Sequence, residues 1–501
     1  MQFKYSIEEK DMKVHWTMKG ALTAVSAMLL LASSAVSAQS TPSQVEQIAE
    51  TAYLYGLQQV IYSGQRYTYT QDSDKDNQSY VGTNRFFNVR KKITPDFPVV
   101  TPNATTLYGT GFLDMQKEPV IIEMPAITDR YFSLQIMDQY GIFYLMAGNQ
   151  FNGTDARSYI IVPDAYKGKI PAEFATTEVI HAPSKTSYAL TRIAVLTGSD
   201  KDISQINAYQ DQISITPLSK WMANGKKGVP QSKASVVPGA FNKYSRMPKI
   251  AKGQVDKQTA EDFFSILNMV LNDPSMTLMK DSKKEADMLA QLATLNIGPG
   301  KNFKWSDLDK ATQTAMEQGF KKGYDTVKKT FKTSLLNMNG WMVVQNSGGF
   351  ETDYLNRSVM ADAGWAGPDK NVSHGAAFLF TDGDDKPLDG KNKYTLTFDM
   401  NDLPSVTQFW SIPIYNKDGY FVKNPINRYT INSFMIDQKQ LHVADGKLVI
   451  YLQKDKPSDP NQLKNWLPAP EGSFRFAARF YGPRMSLIDG SYKMPRPVKV
   501  Q

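Results

Sequence analysis

The spacing of apolar residues changes three times along the chain. From residue 41, Val45, Ile48, Ala49, Ala52, Tyr53, Val60 and Ile61 recur at helical period behind Pro42 and a Ser43/Glu46 capping pair, which predicts a helix ending near Ser63-Gly64. From about 103 to 197 the pattern becomes short apolar runs separated by turns. Val120-Ile-Ile-Glu-Met closes at Pro125, Arg130-Tyr-Phe-Ser-Leu-Gln-Ile-Met follows, and Ser158-Tyr-Ile-Ile-Val closes at Pro163. This spacing suits an antiparallel sandwich. Residues 224–249, rich in Gly, Pro, Ser and Lys, read as a linker. Helical spacing then returns. Thr259 and Asp262 cap one helix, 284–295 forms a second, and Ser306 with Asp309 opens a third that runs to about Leu336. Beyond it, apolar runs at 376–380, 394–400, 407–415, 447–453 and 473–480 alternate with Asp-Gly turns at 382, 389, 418 and 445. The expected fold is mainly β with a helical middle: an N-terminal β-sandwich, a helical insert and a C-terminal jelly-roll-like β-sandwich. The expected boundaries are a signal peptide over 1–38, the first helix and sandwich over 39–230, linker and helices over 231–338, and the jelly roll over 339–501.

Two stretches echo one another. Pro125, Tyr131-Phe132-Ser133, Gly141 and Phe143 match Pro404, Phe409-Trp410-Ser411, Gly419 and Phe421. Side chains alternate along a strand. The echo therefore predicts that Phe132 and Trp410 fill equivalent core positions, with the serines on the opposite faces and the glycines in turns at positive φ.

Composition narrows the picture. The chain has 501 residues, 41% of them hydrophobic, and a formal charge of +8 spread without a long basic run. No nucleic-acid footprint is expected from it. Lys13 and Lys19 precede the apolar run 21–32, and Val36 and Ala38 suit cleavage after Ala38, with Met12 an alternative start. The expected location is periplasmic or secreted, with no stable membrane anchor after cleavage. Cysteine is absent, and His181, His374 and His442 are far apart in sequence, so neither thiol chemistry nor a metal site is expected.

Several residues are candidates for ligand contact. Asn103, Thr106 and Tyr108 offer directional hydrogen bonds ahead of a strand, or else form an Asx-type turn. Arg130, Arg357, Arg428 and Arg479 sit beside apolar or aromatic neighbours. Each is either a guanidinium fork for an anionic ligand, with Arg130 and Arg357 the leading choices, or a strut to a carboxylate. Among Trp341, Trp365, Trp410 and Trp466, the last lies in a proline-rich loop and is the best placed to stack a ligand. Asp382, Asp384 and Asp385 lack the downstream spacing of a calcium loop, and serine-hydrolase and phosphate-loop patterns are missing.

Pro102-Asn103-x-x-Thr106-Leu107-Tyr108, Leu113-Asp114, Glu118-Pro119 and Asp129-Arg130-Tyr131 resemble the DUF1254 domain. Asp353-Tyr354-Leu355-x-Arg357, Pro387-Leu388-x-Gly390, Phe409-Trp410-Ser411, Asn465-Trp-Leu-Pro-Ala-Pro470 and Arg479-x-Tyr481 resemble DUF1214. The resemblance implies the same order of β-sandwich, helices and jelly roll, and says little of activity. The chain departs from the family in having Thr105 where an aspartate is usual. The expected function is an exported soluble protein that binds a small organic or carbohydrate ligand without a cofactor. A cofactor-free hydrolase or lyase and a cell-envelope assembly protein are the alternatives.

Overall fold

The computed structural model describes residues 41–97, 100–241, 258–279, 282–345, 347–364 and 373–500. The expected leader over 1–38, the latter part of the 224–249 segment and Trp365 lie outside the described residues.

Helix α1 (Pro42–Thr70) is capped two residues earlier than expected. Thr41 and Gln44 form the capping box, because Pro42 occupies the first turn, where its missing N–H is no loss. The helix also runs through Gly64 to Thr70. Burial overrides the glycine: Ser63, Gln65 and Arg66 are all buried, and Arg66 pairs with Asp273 while stacking on Phe241.

The N-terminal sandwich follows. Its strands are β1 (Phe87–Asn88), β2 (Thr106–Asp114), β3 (Val120–Met124), β4 (Phe132–Met137), β5 (Phe143–Gly148), β6 (Arg157–Pro163), β7 (Val179–Ala182), β8 (Thr186–Ala194) and β9 (Ser214–Pro217). One sheet has the order β1-β2-β8-β4-β5 and the other β7-β6-β3-β9. Leu107, Leu134, Ile136 and Ile193 of the first meet Val120, Ile122, Tyr159 and Ile161 of the second in one core. Helix α2 (Asp200–Gln212) and the short α3 (Leu218–Ala223) flank it.

The helical middle comprises α4 (Ala260–Leu271), α5 (Lys283–Ala293), α6 (Lys310–Thr333) and α7 (Tyr354–Gly364). Thr259, Ser282 and Asp309 cap the first three. Helix α1 shares their core: Val45, Ala49 and Tyr53 pack with Phe263, Phe264, Leu267 and Met316. The close approach of α1 to α6 rests on two glycines. A Cβ at Gly319 would collide with the Glu46 carbonyl, and one at Gly323 with the Tyr53 ring.

The C-terminal sandwich is built from β10 (Leu336–Met338), β11 (Trp341–Val343), β12 (His374–Leu379), β13 (Tyr394–Asp399), β14 (Val406–Asn416), β15 (Thr430–Asn432), β16 (Val443–Ala444), β17 (Lys447–Gln453), β18 (Trp466–Pro468), β19 (Phe474–Pro483) and β20 (Val498–Lys499). One sheet has the order β10-β11-β12-β19-β14-β15. The other runs β16-β17-β13-β20, with β18 beside β17. Trp410 stacks on Phe398 at 5.6 Å across the core between them. The fold is thus mainly β with a helical middle, as the spacing of apolar residues predicts.

Candidate functional site

The echo turns out to mark how the two sandwiches meet. Phe132 and Trp410 lie in the cores of their own sandwiches, and Gly141 and Gly419 have φ of 77° and 89°. Ser133 and Ser411 face the other way and are fully buried, because that outer face of each sheet is covered by the other domain. The strands are equivalently placed: β4 lies between β8 and β5, and β14 between β19 and β15. The equivalence reaches their neighbours. Ser133 is directly opposite Arg192 on β8, and Ser411 directly opposite Arg479 on β19. Tyr131, Phe409 and Tyr481 pack together at the junction, with ring centroids 4.1–5.4 Å apart.

Between these faces lies a partly enclosed cavity of about 320 Å³. Its polar end holds Asn103, Tyr108, Arg192, His374 and Arg479. Val89, Ile93, Phe97, Phe331, Met360 and Phe378 form apolar wall. Both sandwiches, α6 and α7 contribute.

Each polar group is fixed by a named partner. The Asn103 carbonyl oxygen accepts from the Thr105 amide at 2.9 Å and its hydroxyl at 2.7 Å, so the amide nitrogen must face the other way. That nitrogen lies 2.8 Å from the Thr106 hydroxyl, 3.0 Å from Tyr108 Oη and 2.8 Å from Tyr481 Oη. Thr105 thus has a positioning part: its hydroxyl donates to the Asn103 carbonyl oxygen and fixes which way the amide faces. Arg192 donates to Gln135 Oε1, and Gln135 Nε2 reaches Ser373 Oγ at 2.8 Å. Arg479 donates to the Thr101 carbonyl at 2.6 Å, and Thr101 is held in a left-handed turn (φ 54°) by its own amide bond to Gly419. The guanidinium carbon of Arg192 lies 5.6 Å from the Tyr108 ring centre.

Among the described residues neither Arg192 nor Arg479 has a carboxylate partner, and the Nε of each is buried without a hydrogen bond. The electrostatics follow from this. Burial works against ionising Tyr108, but Arg192, Arg479 and the hydrogen bonds from Thr106 and Asn103 outweigh it and bring the hydroxyl down to about 8. Burial, with the same two guanidiniums, holds His374 well below its usual value, so its imidazole is neutral at neutral pH. The ring stacks on Tyr481 at 5.2 Å.

Of the residues singled out from sequence, Asn103, Tyr108 and Arg479 line the cavity, and Thr106 is buried behind Asn103 and Tyr108. Arg130, Arg357, Trp466 and Arg428 are elsewhere, for physical reasons. Arg130 is bound to Asp202 at 2.5 Å, Asp129 at 3.0 Å and the Ala194 carbonyl at 3.2 Å, so its donors are spent on a strut. Arg357 is fully buried where the helices meet the first sandwich. It donates to the Tyr55 carbonyl at 2.7 Å and lies near the rings of Tyr55, Tyr140 and Tyr354. Trp466 has 0% exposure and its indole donates to the Gln453 carbonyl, so it offers no face to a ligand; β18 pairs it into the sheet. Arg428 spends its donors on the Lys464 and Trp466 carbonyls. Arg192 and His374 were passed over in sequence. The one available signal was an arginine inside the otherwise uncharged run Thr186–Ala194.

No group of His, Asp or Glu among the described residues is arranged to hold a metal ion, and no helix among them is long and apolar enough to cross a membrane.

The comparisons with known proteins concern fold and family. No curated protein matches the chain. The crystal structure of the VPA0106 protein from Vibrio parahaemolyticus is 23% identical, with a TM-score of 0.65 over 92% of this chain and 100% of that one, and it shares the fold. A putative uncharacterized protein from Burkholderia cenocepacia is 11% identical, with a TM-score of 0.42 over 91% of this chain and 93% of that one. The family described as "Protein of unknown function (DUF1254)" matches residues 83–217, and "Protein of unknown function (DUF1214)" matches 375–485. The first match ends with β9 of the N-terminal sandwich and the second spans most of the other, so this chain belongs to the tandem DUF1254/DUF1214 proteins of unknown function.

Proposed function

We propose that this protein binds a small organic acid in the cavity between its two sandwiches. The observation that carries the reading is the pair of guanidiniums, Arg192 and Arg479, at one end of a cavity where no described residue supplies a carboxylate to pair with them. Cations held in a buried setting need an anion, and the guanidinium fork suits a carboxylate. The apolar part of the lining suits an aryl or alkyl tail rather than a ring of sugar hydroxyls, and the volume is at the lower end for small-molecule sites. The organic-acid branch of the expectation is therefore favoured over the carbohydrate branch.

The address belongs to the same proposal: residues 1–38 act as an export signal cut after Ala38, and the protein works outside the cytoplasm. N-terminal sequencing of protein from its native compartment tests this, and a start at residue 1 or 12 on the localised protein would sink it.

Binding is tested by thermal shift and calorimetry with monocarboxylic acids of increasing apolar tail against neutral sugars. Acids should raise the melting temperature, and Arg192→Gln and Arg479→Gln should each weaken binding roughly 10-fold or more, the scale of a lost charge-assisted bond. Equal response to sugars, or binding that survives both substitutions, would remove the reading.

A further inference from the structure

An anion site explains the two guanidiniums but not the third group beside them. The Tyr108 hydroxyl stands in the cavity beside Thr106 and Asn103, and Asn103 is held by Thr105 so that it donates to the phenol oxygen. A donor on the oxygen and cations beside it favour the phenolate. A site that needed only to bind an acid would have no use for a second anion at its cationic end.

We propose that the cavity catalyses enolisation of a 2-oxo acid with an apolar side chain, with Tyr108 as the acid–base residue. The proposal rests on the organic-acid reading above. One guanidinium takes the carboxylate. The other faces the keto oxygen, where negative charge develops as the reaction proceeds. The phenolate takes a proton from the carbon next to the carbonyl. The C–H electron pair becomes the C2–C3 double bond, and the carbonyl pair moves onto oxygen as an enolate. Tyr108, now neutral, returns the proton to that oxygen to give the enol, or to carbon to restore the ketone. Nothing is oxidised, no bond to a leaving group breaks, and no co-reactant is consumed. The downward pull on the Tyr108 hydroxyl, to about 8, places it near the optimum for such transfer at neutral pH.

Hydrolysis fits the same residues less well. Ser373 and His374 are 3.1 Å apart, but Ser373 is fully buried and bound by Gln135. It presents no nucleophile to the cavity.

The test uses the purified full chain and phenylpyruvate. Deuterium entry at C3 in D2O is followed by NMR, enol formation by ultraviolet absorbance, and binding separately by thermal shift. The wild type should accelerate exchange over buffer. Tyr108→Phe should lower that acceleration roughly 100-fold or more while phenylpyruvate still raises its melting temperature, since a positioned acid–base group contributes about that much. The wild-type rate should rise with pH along a limb near the tyrosine's ionisation, a readout that stands even if the variant does not fold. Phenylpyruvate that stabilises the wild type but exchanges at the buffer rate would overturn enolisation and leave the binding reading intact, as would a Tyr108→Phe protein as fast as wild type. If other acids bind and phenylpyruvate does not, the 2-oxo acid class is wrong. If no acid binds, the reading beneath it falls too.

Discussion

At the scale of single residues, the site depends on Asn103 being turned the right way, and the turning is done by Thr105. Thr105→Ala removes one of the two donors to the Asn103 carbonyl, and Thr105→Asp replaces it with an acceptor. The alanine should cost about 1 kcal/mol of stability, and the aspartate more, because two acceptors would then be buried face to face. Spectroscopic titration of Tyr108 gives a second check. An acid whose ionisation is eased by folding titrates early, so a phenolate absorbance step near pH 8 should appear in wild type and vanish in Tyr108→Phe. Arg192→Gln should move that step upward, because it removes the guanidinium 5.6 Å from the ring, the larger of the two influences that lower it. A step that stays put in Arg192→Gln would show that the arginine is not what lowers it. The sequence made half of this site readable. Asn103, Thr106 and Tyr108 lie within six consecutive residues, so local turn chemistry picks them out. Arg479 stands out beside its aromatic neighbours, but no more than Arg130, Arg357 or Arg428 does, and Arg192 and His374 join the site only because two sheets from distant parts of the chain meet, which nothing local encodes.

At the scale of elements, β4 and β14 were legible because one face of each lies in a core, and apolar residues at every second position record it. Strand β8 was not resolved into faces. Apolar residues occupy both of its faces, Ala189 and Ile193 in the sandwich core and Tyr188 and Leu190 against Tyr62 and Phe112, so the alternation that separates inside from outside is lost. The length of α1 was missed for a related reason: Gly64 is a stop signal only in a helix exposed to water, and here the following turn is buried against Asp273 and Phe241. Two consequences can be measured by denaturant unfolding. Phe132→Ala and Trp410→Ala should each cost about 3–5 kcal/mol, the usual range for truncating a buried aromatic. A loss under about 1 kcal/mol at either would mean that the echo is not a core device. Gly319→Ala raises intrinsic helix propensity yet should destabilise, because the added methyl meets the Glu46 backbone of α1, which has no flexible side chain to give way. A stabilised Gly319→Ala protein would contradict the observed approach of α1 to α6.

At the scale of the whole molecule, the parts are joined by buried polar links, and one of them should make stability depend on pH. The turn after β4 carries Asp138, Gln139 and Tyr140 into the helical region. Tyr140 donates to Glu285 at 2.6 Å, beside Tyr55 at 2.8 Å, and Gln139 donates to the Thr277 carbonyl at 2.6 Å. Asp138 is buried at the same joint. Burial raises its carboxyl to about 6, against the pull of the Ile142 and Tyr140 amides and of Arg357, with Glu285 adding to the rise. The sign follows from proton binding. Between about pH 4 and 6 the folded chain holds a proton on Asp138 that the unfolded chain has lost, so this group's contribution falls as pH rises, by up to about 1.4 kcal/mol per pH unit. Carboxylates held low, such as Asp129 and Asp309, act in the opposite direction, so the total curve alone does not isolate the effect. The comparison with Asp138→Asn does. One oxygen, Oδ1, accepts both the Tyr140 and the Ile142 amides, and asparagine keeps that oxygen while losing the titration. Stability measured from pH 4 to 7 should therefore show the variant gaining on the wild type as pH rises, by on the order of 2–3 kcal/mol across the range. Parallel curves for the two proteins would mean that Asp138 is ionised in the fold and that the joint between sandwich and helices carries no pH dependence through it.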